Sequence, residues 1–124
     1  GKNSSRIISN TPTRTNKAKI PLYTMSSYAS NEALYSWLAV KSPKSNAFCA
    51  FPKSYPNDYF VELVGMKKVR TQSKTGRPSG RWVAESGKRV EGNDVRRMAI
   101  AALMYLSVNL DFDKHSQRIK EKKK

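Results

Sequence analysis

The stretch KKVRTQSKTGRPSGRW, residues 67–82, holds six lysines and arginines and no acid. Such a run is either a solvated basic loop or a grip for a polyanion, because phosphates along a nucleic-acid backbone are neutralised by several cations presented together. Lys67, Lys68, Arg70, Lys74, Arg77 and Arg81 belong to it, and Lys88 and Arg89 follow just beyond. Strands on either side of the loop would gather these groups on one side of the domain. Arg96 and Arg97 make a more pointed case, since they fall in the first turn of a predicted helix, where the helix dipole disfavours cations. A phosphate at that N-terminus would take bonds from free backbone N–H groups and from both arginines. Pairing with Glu91 or Asp94 is the local alternative.

Catalysis has less to draw on. A metal-dependent nuclease needs clustered carboxylates, and Asp58 with Glu62, near Lys67 and Lys68, is the nearest approach to one. Two residues after Glu62, where a lysine would be wanted, stands Val64. Glu62 therefore reads as a solvent-side strand residue. No serine lies in a nucleophile-elbow motif, and Gly76, Gly80 and Gly87 read as turn residues, not as a phosphate loop. A single cysteine, Cys49, cannot form a disulfide within the chain, and a single histidine, His115, offers little for a zinc site or a base. The expectation is a domain without enzymatic activity, metal or cofactor. Trp37 reads as core, and Trp82 either as core or as a ring offered to a base.

The whole composition points the same way. Over 124 residues, 24 Lys and Arg against 9 Asp and Glu give a formal charge of +15, and self-repulsion on that scale opposes compaction unless a partner gains from it. Nucleic acid is the first expectation for that partner and an acidic protein the second. No apolar run approaches the roughly 20 residues needed to span a bilayer, so no membrane partner is expected. An intracellular setting is expected, nuclear or cytoplasmic, with a mitochondrial presequence as the other reading of the basic amino terminus. A chain beginning with Gly and not Met reads as a segment cut from a larger protein.

These groups need elements to position them. Residues 1–29 read as a flexible basic arm, 30–112 as the folded domain and 113–124 as a charged tail. In SNEALYSWLAV, Ser30 or Asn31 can cap a helix of about ten residues that ends before Pro43, with Leu34, Trp37, Leu38 and Lys41 on one face. NAFCAF predicts a strand and SYPND a turn. DYFVELVGMKKVRT predicts a second strand with Gly65 as a bulge, and RWVAESGKR a third. From Asn93 or Asp94, the residues Val95, Met98, Ala99, Ala102, Leu103, Leu106 and Leu110 recur at helical spacing, predicting a helix of about 17–19 residues whose stripe covers a sheet. The predicted class is α+β in the order α–β–β–β–α, a three-stranded antiparallel sheet with both helices on one face.

That order, with NEALYSWLAV as first helix, NAFCAF, YFVELVGM and RWVAES as strands, and GKR leading into NDVRRMAIAALMYL, resembles the double-stranded RNA-binding domain over about residues 30–110. MAIAALMYL is similar to that family's Ala-rich second helix and YFVEL to its second strand. The resemblance implies contacts to the duplex through Asn31, Glu32 and Tyr35 on the first helix, residues 53–57 including Lys53, and Lys88, Arg89, Arg96 and Arg97 ahead of and within the second helix. Three strands followed by one helix also describes the AP2-type and integrase amino-terminal DNA-binding domains, in which the sheet enters the major groove. The expected function is non-catalytic binding of a duplex by shape and phosphate contacts, RNA favoured over DNA. Docking of an acidic protein through the same face is the other alternative.

Overall fold

The structure, a computed structural model, describes residues 6–72, 74–76, 78–109 and 111–123. Its elements are α1 (Ser27–Leu38), α2 (Asn57–Leu63), β1 (Met66–Gln72), β2 (Pro78–Ala84), α3 (Glu91–Asn109) and α4 (Phe112–Lys122). β1 and β2 pair antiparallel as a two-stranded ribbon. The fold is still α+β, but the three-stranded sheet with two helices is replaced, among the described residues, by a two-stranded ribbon with four helices.

Each departure has a local cause. α1 begins earlier than predicted because Ser26 caps it, its hydroxyl accepting from the Ala29 N–H at 3.1 Å. Ser30 and Asn31 then lie inside the helix and donate back to the Ser27 carbonyl at 3.2 and 3.0 Å. NAFCAF forms no strand; backbone bonds from Ser45 to Ser42 and from Phe48 to Ser45 fold it into turns. A short apolar run does not announce its geometry, and here Phe51 packs against the core while Phe48 lines a pocket. The predicted second strand splits. Pro56 leads into the helix α2, in which Tyr59, Phe60 and Leu63 all reach the core, and the strand starts only at Met66. Gly65 is the switch between them and not a bulge: it is buried, and a Cβ there would meet Val90 Cγ1 at 3.0 Å and the Arg89 and Val61 carbonyls at 3.3 Å.

The core is small. Leu34 of α1, Leu63 of α2 and Ile100 of α3 are buried, with Ile7, Trp37, Leu38, Phe51, Tyr59, Phe60 and Met104 packed around them. Ahead of α1, residues 7–26 double back on themselves: Ser26 N–H donates to the Ile7 carbonyl and Thr13 and Leu22 exchange both backbone bonds. Asn16 closes the bend, accepting from the Ile20 N–H and donating to its carbonyl. After α3, Asp111 caps α4 by accepting from the Asp113 and Lys114 N–H groups.

α3 has the predicted length and the opposite orientation. Its inward face is Asn93, Arg97, Ile100 and Ala101, and it packs chiefly on α1 and α2. The predicted core stripe points away: Val95 is 65% and Met98 59% exposed, and Ala99, Ala102, Leu103 and Leu106 are exposed as well. Leu110 lies outside the described residues. The inversion follows from a polar network at the α1–α3 contact. Asn93 donates to the Leu63 carbonyl at 3.0 Å and to Asn31 Oδ1 at 3.3 Å, while Arg97 Nε donates to Asn93 Oδ1 at 2.8 Å. Gly92 permits the approach to α2, since a Cβ would meet Glu62 Cβ at 3.2 Å and the Tyr59 carbonyl at 3.3 Å.

Candidate nucleic-acid interface

The ribbon is fastened to α1 by a ladder of side chains at helical spacing: Tyr28, Glu32 and Tyr35 share one face of that helix. Tyr35 donates its hydroxyl to the Met66 carbonyl at 2.8 Å and accepts from the Met66 N–H at 3.1 Å, gripping the first residue of β1. Its ring stacks on Trp82 of β2, centroids 4.4 Å apart and 24° from parallel. Trp82 Nε1 donates to Glu32 Oε1 at 3.1 Å, and Lys68 Nζ reaches the same oxygen at 2.6 Å. Lys68 also lies 5.2 Å from the centre of the Tyr28 ring. The Lys68 hydrogen bond, aided by Trp82, holds the Glu32 carboxyl below the usual carboxylate range. The same bond raises the Lys68 pKa, and burial raises that of Tyr35.

Strand alternation then sorts the basic run. The register sets Lys68 opposite Trp82, Val69 opposite Arg81 and Lys67 opposite Val83. Successive residues point to opposite faces, so Lys68 and Trp82 turn toward α1 while Lys67 and Arg81 occupy the outer face, both exposed. Arg70 shares the side of Lys68 further along, opposite Gly80, and is exposed; Lys74 is exposed in the turn. Arg77 lies outside the described residues. Lys67, Arg70, Lys74 and Arg81 have no ion-pair partner among the described residues, and neither does the exposed Lys53, which sits in the turn before α2.

The remaining predicted contacts are placed elsewhere. Lys88 pairs with Glu85 at 2.6 Å and Arg89 with Glu91 at 3.1 Å, both at the surface. α3 starts at Glu91, so Arg96 and Arg97 lie in its second turn, and the argument from the first-turn dipole lapses. Arg97 is only 6% exposed and points inward to Asn93, Asp94, Ser27 and Ser30. Arg96 lies over the Phe51 ring, 5.3 Å from its centre. On α1, Asn31 is fully buried and Glu32 and Tyr35 are engaged by the ribbon, so the face that the RNA-binding resemblance assigns to a minor groove is covered. Trp82, stacked on Tyr35, is not a free platform for a base.

Glu62 is a further surprise. On the helix α2 it accepts the Gly92 N–H at 3.1 Å, an acid at the start of α3 where the dipole favours one. Among the described residues no group of three or more His, Cys, Asp or Glu could hold a metal ion. Sequence reasoning missed the Glu32–Lys68–Trp82 clamp and the Asn93–Arg97 network. The spacing of Tyr28, Glu32 and Tyr35 is the signal that could have revealed the first.

The family model for the terminase large subunit gpA, endonuclease domain, matches residues 2–117. No curated protein and no solved structure matches the chain. The family match overturns the double-stranded RNA-binding assignment, and because the family is one of endonucleases it also overturns the expectation of a non-catalytic domain. The AP2-type reading falls with its third strand. Nucleic-acid binding stands, with DNA as the nucleic acid. A match over residues 2–117 of a 124-residue chain makes this protein a member of the terminase large subunit gpA endonuclease-domain family.

Proposed function

We propose that this chain serves a DNA-packaging endonuclease and that the outer face of the β1–β2 ribbon, with its turn, holds the DNA duplex beside the cut. The observation that carries the reading is the sorting of the basic run. Lys68 is spent on fastening the ribbon to α1, whereas Lys67 and Arg81 outside, with Arg70 and Lys74 toward the turn, form no ion pair among the described residues, Lys67 acting on Glu85 only through its field. A two-stranded ribbon is narrow enough for the major groove of B-form DNA. Side chains on one of its faces can contact phosphates without reading bases. That chemistry suits an enzyme that must hold DNA of many sequences.

The test replaces Lys67, Lys74 and Arg81 together by Ala and measures duplex binding across salt concentrations, alongside cleavage of a supercoiled plasmid. Three lost phosphate contacts should flatten the slope of log K against log salt by about 2.7 and weaken binding at low salt by more than about tenfold. Cleavage should fall with binding. Unchanged affinity and slope would remove the ribbon from the interface, and a plasmid left intact by the unsubstituted chain under all conditions would count against the cutting role.

A further inference from the structure

The outward face of α3 calls for a partner of its own. Val95, Met98, Ala102 and Leu106 follow one another along this face with no charge among them, while the opposite face is packed on α1 and α2. A helix packed through a polar network on one side and apolar on the other leaves its apolar side without a cover, and an apolar strip of this length on an otherwise highly charged domain marks a contact surface. Beside the strip opens a cavity of about 370 Å³ whose lining includes Trp37, Phe48, Cys49, Leu103 and Arg96. Leu103 joins the two. Arg96 is half-buried against the Phe51 ring, and among the described residues no acid neutralises it. A partly desolvated guanidinium without a carboxylate is costly unless a ligand supplies one.

We propose that this surface binds an amphipathic helix of a partner polypeptide, one large apolar side chain seated in the cavity and an Asp or Glu beside it paired with Arg96. Charge decides the occupant. A second copy of this chain brings another +15, and the repulsion opposes pairing. A helix whose apolar ridge is flanked by acids instead brings opposite charge to the chain and a carboxylate to Arg96. The surface shares no residue with the outer face of the ribbon, so it stands independently of the DNA reading.

The experiment uses three labelled synthetic peptides and fluorescence anisotropy at physiological salt: an amphipathic helix with a Leu ridge and Glu flanks, the same composition scrambled, and the ridge with Lys flanks. The chain should bind the ordered acidic peptide at least about tenfold more tightly than the scrambled one, and excess duplex DNA should not displace it. Met98→Glu, an exposed change checked by circular dichroism, should abolish binding. Arg96→Glu should weaken the acidic peptide by about tenfold or more and transfer preference to the Lys-flanked one. Equal binding of the scrambled peptide, indifference to Arg96→Glu, or displacement by DNA would overturn the proposal. So would a dimer in sedimentation that Met98→Glu converts to monomer, since the occupant would then be a second copy.

Discussion

Arg97 shows how little a residue's type says about its use. It lies in the middle of a basic chain, yet its guanidinium is buried and shared among Asn93, Asp94, Ser27 and Ser30. Replacing it with Met removes the donor to three buried or half-buried acceptors, which should cost about 1–3 kcal/mol in urea denaturation. Lys should not restore the loss, because one ammonium cannot reproduce the planar fork that reaches Asn93 and the serines together. A fully stable Arg97→Met chain would show that the network is incidental. Glu32 shows the reverse case of an acid that looks like surface and acts as the anchor of Lys68 and Trp82. Its carboxyl is held below the ordinary range, so the stability it contributes is present above the usual glutamate pKa, about 4.3, and is lost as pH falls through the lowered folded value. Lys68 and Tyr35 are both raised, so their contributions are present below their ordinary values and fade as pH rises through the folded ones. Trp82 fluorescence should therefore be flat across neutral pH and change at both acidic and strongly alkaline extremes. In Glu32→Gln the acidic change should disappear.

At the scale of elements, the contact between α2 and α3 rests on the absence of a side chain. Ala is a better helix former than Gly by about 1 kcal/mol, so Gly92→Ala would stabilise α3 on its own. In the folded chain the new Cβ meets Glu62 Cβ and the Tyr59 carbonyl, atoms fixed to the α2 backbone that cannot swing aside. Gly92→Ala should thus be destabilising by about 1–3 kcal/mol, with the hydrogen bond from its N–H to Glu62 weakened at the same time. A higher melting temperature for this variant would show that α2 yields easily. The ribbon was legible in part: residues 66–71 and 81–84 read correctly as strand because they combine β-branched and aromatic residues, whereas residues 78–80, read as loop from their Pro and Gly, belong to β2. α2 was not, because Tyr59, Phe60 and Val61 favour strands and only the placement of Tyr59, Phe60 and Leu63 against the core makes a helix of them.

For the whole molecule, charge is the dominant quantity. A formal +15 over so small a core should make the free chain gain thermal stability as salt rises from low values, through screening of self-repulsion. A DNA duplex should raise the melting temperature further at low salt, by mass action on the folded state, and that gain should shrink as salt is added. A melting temperature insensitive to both would mean that the charges are spread widely enough not to interact, and that the ribbon holds no DNA.

The sequence by itself determined the chemistry of the partner and the length of the longest helix. Both are additive properties: net charge is a sum over residues, and a helix of this size is written in its own periodicity. It also located the apolar stripe of α3 residue by residue. Which side of α3 would face inward was settled by the tertiary structure alone, because Asn93 meets Asn31 and the Leu63 carbonyl across 62 and 30 positions, and no local pattern records that they meet. The same holds for the basic run. Composition marked it as a run suited to a polyanion, but only the pairing of β1 with β2 and the clamp from α1 divided it into a lysine that fastens the ribbon and cations left exposed.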